Sequence, residues 1–358
     1  MLYNCLSELN NCLSELTSFG FNYIIGIEAA IIAILVFGLT VLATRLILPV
    51  LRAKKLNQPI NMYVKEHAGK AGTPTMGGIC FIIATLLVAL LWIILEKCGV
   101  LGENNNRALL PLVLTLCYAF ANGFIGFIDD YKKLVKKQNE GLTEIQKLIL
   151  QIVFAAAYLA MMGMTNNLHT VLKVPFINFP INLGFFAYPL YLLVLVGFVN
   201  STIITDGLDG LASSIGASVA AALVVMAMIT DSRYTGIASA MLLGSLLGFL
   251  VYNHFPAKIF MGDTGSLFIG GIIMGCAVSD GQLLSVVIMS AVFICEMLSS
   301  LWQIVYFKLT HGKRFFKKAP VHHHFQLLDW SEVKVVVVFS AVSIAFCVVG
   351  VLGAVLNF

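Results

Sequence analysis

Long apolar runs alternate with short polar stretches along this chain, and the length of the runs sets the architecture. A helix needs about 20 mostly apolar residues to cross a bilayer. Ten stretches qualify: 22–51, 75–95, 108–128, 145–163, 184–204, 210–229, 236–252, 266–279, 282–308 and 335–357. The eighth is short, and its boundary with the ninth falls at Asp280-Gly281. The pattern predicts an all-α polytopic membrane protein, a single domain over 1–358 with an external segment at 1–21. Inside that segment "NCLSELN" is followed at once by "NCLSELT", a heptad period that predicts a short amphipathic helix. Between spans four and five, "NNLHTVLKVPFINFPINL" (166–183) combines Pro with β-branched residues and predicts a short external hairpin.

Composition supports the pattern. Of 358 residues, 59% are hydrophobic and 11% charged, against about 25% charged in soluble domains. No basic stretch precedes an apolar core at the N-terminus, so no cleavable signal peptide is expected. The eight cysteines form no CxxC pair and fall mostly within apolar runs, where they read as small hydrophobes. The net charge of +4 says little, whereas its distribution says much. Sixteen Lys and Arg fall in the odd-numbered loops (52–74, 129–147, 205–209, 253–265 and 309–334), against four on the other side. That asymmetry predicts cytoplasmic odd loops and both termini outside.

The same loops carry the informative acids. Asp129 and Asp130 end span three, Asp206 and Asp209 lie in "TDGLDGLA", and Asp263 lies in "FMGDTGSL". Each has an ordinary reading: a solvated helix end, a tight turn, and an N-cap for span eight. Asp206 and Asp209 are three apart, a spacing that one helical turn places on one face. "GKAGTPTMGG" in the first loop offers Lys70, hydroxyls and flexible glycines. The last loop, "KLTHGKRFFKKAPVHHHFQ", adds basic residues and three consecutive histidines, the side chain that donates, accepts or ligates near neutral pH. Carboxylates with phosphates and water suit Mg²⁺, and lysines balance further phosphate charge. The face therefore points to phosphoryl chemistry between a charged soluble substrate and a lipid. Neither GxxxxGK[ST] nor GxGxxG occurs, which removes support for ATP-driven or dinucleotide chemistry.

Five motifs in order, "PTMGG", "FIDDY", "NSTIITDGLDGLA", "NHFPAKIFMGDTGSL" and "APVHHHFQ", carry a resemblance. From about residue 52 onward the chain resembles the polyprenyl-phosphate N-acetylhexosamine-1-phosphate transferases, and most closely their phospho-N-acetylmuramoyl-pentapeptide branch in bacterial peptidoglycan synthesis. The resemblance implies a multi-pass enzyme of the bacterial plasma membrane, a homodimer with a cytoplasmic site and no nucleic-acid partner. It implies that undecaprenyl phosphate attacks UDP-N-acetylmuramoyl-pentapeptide with Mg²⁺, releasing UMP and leaving lipid I. Direct displacement is favoured over an aspartyl-phosphate, because the attacking phosphate is already anionic. Asp263 is implied as the Mg²⁺ ligand, with Asp129 and Asp130 as the acid pair near metal and lipid phosphate. His322, His323 and His324 complete the implied catalytic group. Lys70, Thr75, Lys147, Asn200, Asp206, Asp209, Asn253, Phe260 and Gln303 are the implied substrate-binding residues, Phe260 by stacking on uracil. Lys132 and Lys133 are placed to attract the lipid headgroup. Two positions depart from the pattern: Ile203 stands where a second Asn is usual, and Gln326 where Glu is usual. A GlcNAc-1-phosphate transferase is the neighbouring alternative, disfavoured by the uninterrupted "HHH". A secondary transporter is disfavoured because its binding charges lie near the bilayer midplane.

Overall fold

The computed structural model describes residues 22–53, 72–101, 106–136, 141–177 and 179–355; Lys70 and the repeat at 4–17 lie outside them. Ten of the described helices are long and apolar enough to cross a membrane, and the chain is a multi-pass membrane protein. In order they begin with α1 (Tyr23–Ala53), α2 (Gly78–Lys97), α3 (Asn106–Lys136) and α4 (Glu144–Met164). A small antiparallel pair follows, β1 (Val171–Lys173) and β2 (Pro180–Asn182), with Leu172 opposite Ile181, which is the expected hairpin. Then come α5 (Ala187–Thr205), α6 (Leu211–Thr230), α7 (Arg233–Asn253) and α8 (Gly262–Ser279). A short α9 (Leu283–Met289) leads into α10 (Ala291–Leu309), followed by α11 (Val321–Gln326) and α12 (Glu332–Val355).

Two boundaries differ from the reading of apolar runs. The ninth span is divided at Ser290, where the helix bends while Ser290 N–H still reaches the Val286 carbonyl at 2.9 Å. Helix α3 runs past its apolar part to Lys136, so the acid pair sits within a helix rather than in a loop. The end of α8 is where the polar break placed it. Gly281, at φ 65°, closes the helix, and the N–H groups of Gly281 and Gln282 bond to the carbonyls of Val278 and Ala277. That pair of bonds is a Schellman stop.

Helix α8 is the axis of the bundle, buried along almost its whole length. Small residues let its neighbours approach, as expected where packing rather than water drives helix association. Gly271 lies against Ala119 and Gly275 against Thr115 of α3, while Gly270 lies against Val199 of α5. Nearest the α8 N-terminus, Gly126 of α3 faces the Asp263 backbone so closely that a side chain there would collide with its carbonyl. This run of contacts brings the end of α3 against the start of α8. At the opposite end of the bundle, Arg233 of α7 clamps two other helices. Its guanidinium donates to both oxygens of Glu28 (α1) at 2.7 Å and to Glu96 (α2) at 3.0 Å, and it lies 5.3 Å from the Trp92 ring centre.

Candidate active site

The two adjacent aspartates diverge, as neighbours about 100° apart on a helix must. Asp130 turns towards α8, where its carboxylate accepts from the N–H groups of Asp263 (3.3 Å) and Thr264 (3.0 Å) and from the Thr264 hydroxyl (2.7 Å). It thereby satisfies orphan donors of the α8 N-terminus and places negative charge at the positive end of that helix. The expected N-cap role of Asp263 is corrected: Asp263 sits in the first turn, and the cap is supplied from α3. Gly262, at φ 71°, makes this possible, because a side chain there would run into Asp130 and Thr75.

Asp129 turns the other way, towards α4, and is fully buried. One oxygen accepts from Leu142 N–H at 2.7 Å and lies 3.3 Å from the Lys147 ammonium; the other meets Lys133 at 2.6 Å. A capping box between Thr143 and Gln146 fixes the start of α4 and so aims Lys147. Both ammoniums also reach one oxygen of Asp263, Lys147 at 3.0 Å and Lys133 at 3.2 Å. Ligand oxygens of Asp129, Asp130 and Asp263 all lie within 4.8 Å of one another. Three carboxylates and two ammoniums leave one formal negative charge, and Asp263, at 15% exposure, is the acid of the three most open to solvent. An all-oxygen donor set of this size fits a hard divalent cation, which uses one or two carboxylates and fills its other positions with water and phosphate. Lys133 enters the cluster as a full member; its i,i+4 spacing from Asp129 is the sequence signal for that.

The surrounding loops are pinned by the other motif residues. Pro74 and Gly77 pair with Phe260 through Phe260 N–H to Pro74 C=O (2.9 Å) and Gly77 N–H to Phe260 C=O (2.8 Å), and Thr75 is buried between them. Asn253 commits its amide to the Ile259 carbonyl (3.0 Å) and the Ser213 hydroxyl (2.9 Å), shaping the 254–261 loop. Asp206 and Asp209 do not share a helix face: Asp206 ends α5, and Asp209 lies in the turn before α6. Asp209 joins three segments, accepting from Ala257 N–H (2.9 Å) while its own N–H donates to Glu332 (2.7 Å). Asn200 pairs with Gln151 of α4 at 2.7 Å, and Ile203, one turn on, packs half-buried against the apolar core. The side-chain oxygen of Gln303 accepts from the N–H groups of Phe315 and Phe316, holding the last loop to α10.

The three histidines have three different settings on α11. His322 pairs through Nδ1 with Glu296 at 2.9 Å, His323 pairs with Gln326 at 2.8 Å, and His324 accepts from Lys317 N–H at 3.1 Å. His322 is buried, and its Nε2 has no partner. Glu296 was not anticipated; a lone acid in an apolar span was the available signal.

Comparison with known proteins places this geometry. Residues 112–281 match Glycosyl transferase family 4, and residues 70–82 match Phospho-N-acetylmuramoyl-pentapeptide-transferase signature 1. The phospho-N-acetylmuramoyl-pentapeptide-transferase of Halalkalibacterium halodurans is 41% identical over 89% of this chain and 95% of its own length. Those of Staphylococcus epidermidis (40%, over 90% and 97%) and Clostridium beijerinckii (39%, over 90% and 96%) are similar to the same extent. The ten-span bundle, the motif order and these relatives agree: the chain belongs to the phospho-N-acetylmuramoyl-pentapeptide-transferase family.

Proposed function

We propose that this protein transfers phospho-N-acetylmuramoyl-pentapeptide from its UDP-linked donor to undecaprenyl phosphate, forming lipid I and UMP, in the bacterial plasma membrane. The observation that carries the reading is the convergence of Asp129, Asp130, Asp263, Lys133 and Lys147 at one end of an apolar bundle, where a lipid phosphate and a soluble nucleotide can meet. The excess of Lys and Arg in the loops at that end supports a cytoplasmic site. A homodimer is part of the same reading.

Asp263 is the first ligand for Mg²⁺, because it is the most exposed acid of the cluster and its second oxygen is not among those held by lysine. Mg²⁺ bound there supplies charge neutralisation at the pyrophosphate. The chain's own groups do the rest. Asp130 fixes the α8 N-terminus and with it the position of Asp263. Lys133 and Lys147 pass from carboxylate oxygens to phosphate oxygens as the substrates enter. Asp129 orients the acceptor phosphate, one of whose oxygens bonds to the sugar-bearing phosphorus as the bond to UMP breaks. Both Asp129 oxygens are engaged and buried, which favours direct displacement over attack by this carboxylate. Phe260, Thr75, Asn200, Asp206, Asp209, Asn253, Gln303 and Lys70 form the donor side, and the histidines its phosphate and sugar contacts.

UMP release by protein in nanodiscs tests this reading. Release that needs Mg²⁺ and both substrates, and that Asp263→Ala abolishes, is the expected result. Turnover of UDP-N-acetylglucosamine in place of the muramoyl donor, or release indifferent to Asp263→Ala, would overturn it.

A further inference from the structure

His322 is buried against a carboxylate that belongs to a membrane-spanning helix. Glu296 lies in the apolar run "AVFICEMLSS" of α10 and is itself fully buried. Ionisable groups in such helices are expensive and mark function by default. The grip between α10 and α11 is double. Glu296 accepts from His322, and three residues on the Ser299 hydroxyl accepts from Val321 N–H at 3.0 Å while donating to the Glu296 carbonyl at 2.7 Å. With Glu296 as the acceptor, His322 presents Nδ1–H to it and turns its other nitrogen away. That nitrogen, Nε2, is buried without a partner and faces Gly207 of the "TDGLDG" turn, at a point where any side chain would collide with it. A buried polar atom left unpaired is costly. Nothing in the packing requires it, since an apolar ring would fill the same space.

We propose that Glu296 is a positioning residue, which holds His322 through Nδ1 and balances its charge so that Nε2, once protonated, donates to a phosphate oxygen bound at the Gly207 turn. The inference rests on the phosphoryl transfer proposed above and adds a residue to it. The proton enters from solvent with the anion, and the bound state is a line of carboxylate, imidazolium and phosphate. Gly207 lays no side chain over Nε2 and has the backbone freedom to yield. The charged groups around His322 are mostly acids. Glu296 approaches from α10, Asp206 and Asp209 flank Gly207, Glu332 of α12 is tied to Asp209, and His323 lies beside it with ring centres 4.2 Å apart. A phosphate entering among these acids is repelled unless His322 carries a charge.

The phosphate oxygen belongs either to the nucleoside diphosphate or to the prenyl phosphate, and the experiment separates them. UDP, a short-chain prenyl phosphate and uridine are titrated calorimetrically into the full-length protein at about pH 6 and about pH 8, the range in which histidine changes charge. The parent, Glu296→Gln and Glu296→Asp are compared, so the phosphate's own titration is common to all three. The expected result is that one phosphate probe loses about tenfold in affinity at about pH 6 in Glu296→Gln, a change of roughly 1.4 kcal/mol. The extra affinity at the lower pH disappears with it, Glu296→Asp recovers part, and uridine is unaffected. Parallel loss of uridine, or a pH preference that survives Glu296→Gln, would overturn the proposal. Nitrogen-15 NMR of histidine in the parent decides the matter independently of the variants' folding. His322 is expected with its proton on Nδ1 when free and on both nitrogens with the probe bound; a free form protonated on Nε2, or no response to either probe, rejects it. A parent that binds no uridine compound and no prenyl phosphate overturns the transfer reaction itself, whereas binding without a His322 response removes the Glu296 role alone.

Discussion

Asp130 and Asp263 are both acids of one cluster, yet their removal has different consequences for stability. Asp130→Ala strips the acceptor from three donors at the start of α8, two of them buried. Stranded donors cost about 1–3 kcal/mol each, so thermal unfolding in detergent is expected to begin well below that of the parent. Asp263→Ala leaves Lys133 and Lys147 still facing Asp129, so the melting curve stays near that of the parent while UMP release vanishes. An Asp263→Ala protein that melts as low as Asp130→Ala would contradict this division of labour. Ile203 supports a second prediction. It packs against the core one turn from Asn200, which already bonds Gln151. Ile203→Asn exchanges apolar packing for a donor and acceptor beside the nucleotide; KM for the donor is expected to fall about tenfold, the worth of about one hydrogen bond to a charged group. An unchanged KM would mean that position 203 does not face the substrate.

Helix contacts set the distances within the site, and two glycines of α3 make this testable. A side chain at Gly126 would overlap the Asp263 backbone, whereas one at Gly123, one turn away, meets the flexible end of Ile82 and makes ordinary contact with Phe268 Cβ and the Thr264 carbonyl. Gly126→Ala is therefore expected to abolish transfer by pushing α3 off α8, with Gly123→Ala retaining at least about half of it, since a neighbour that gives by a few tenths of an ångström is tolerated. Equal activity in the two variants would remove the close approach as the cause. The number of helices was legible in the sequence because bilayer thickness dictates the length of an apolar run. Where α3 ends was not, because its last turns are polar and held by Lys133, Lys147 and the α8 N-terminus rather than by lipid. The bend at Ser290 has no proline or glycine to announce it. Likewise the acid cluster was legible from motifs, but the roles within it were not. The cap that Asp130 supplies and the pairing of Glu296 with His322 join residues on different helices, which periodicity along one helix cannot reveal.

At the scale of the whole molecule, the two ends of the bundle are tied by different means. The end opposite the site is held by Arg233 against Glu28 and Glu96. Arg233→Met leaves two buried carboxylates without a counter-charge and is expected to cost roughly 3–5 kcal/mol, as removal of one partner from a buried pair does. A melting temperature unchanged in that variant would show that the clamp is dispensable. The helices also differ in length: α8 has 18 residues and α3 has 31. At 1.5 Å per residue these are about 27 Å and about 46 Å long, against a hydrocarbon core of about 30 Å. An upright helix as short as α8 ends at the floor of the headgroup layer rather than above it. In the proposed reaction the acceptor's phosphate would therefore meet Asp263 near its resting depth in the leaflet, and the nucleotide would be the substrate that has to travel. On that reading the membrane-bound substrate would arrive by lateral diffusion, so crowding of the leaflet, not dilution of the aqueous phase, would govern how often the acceptor is in place.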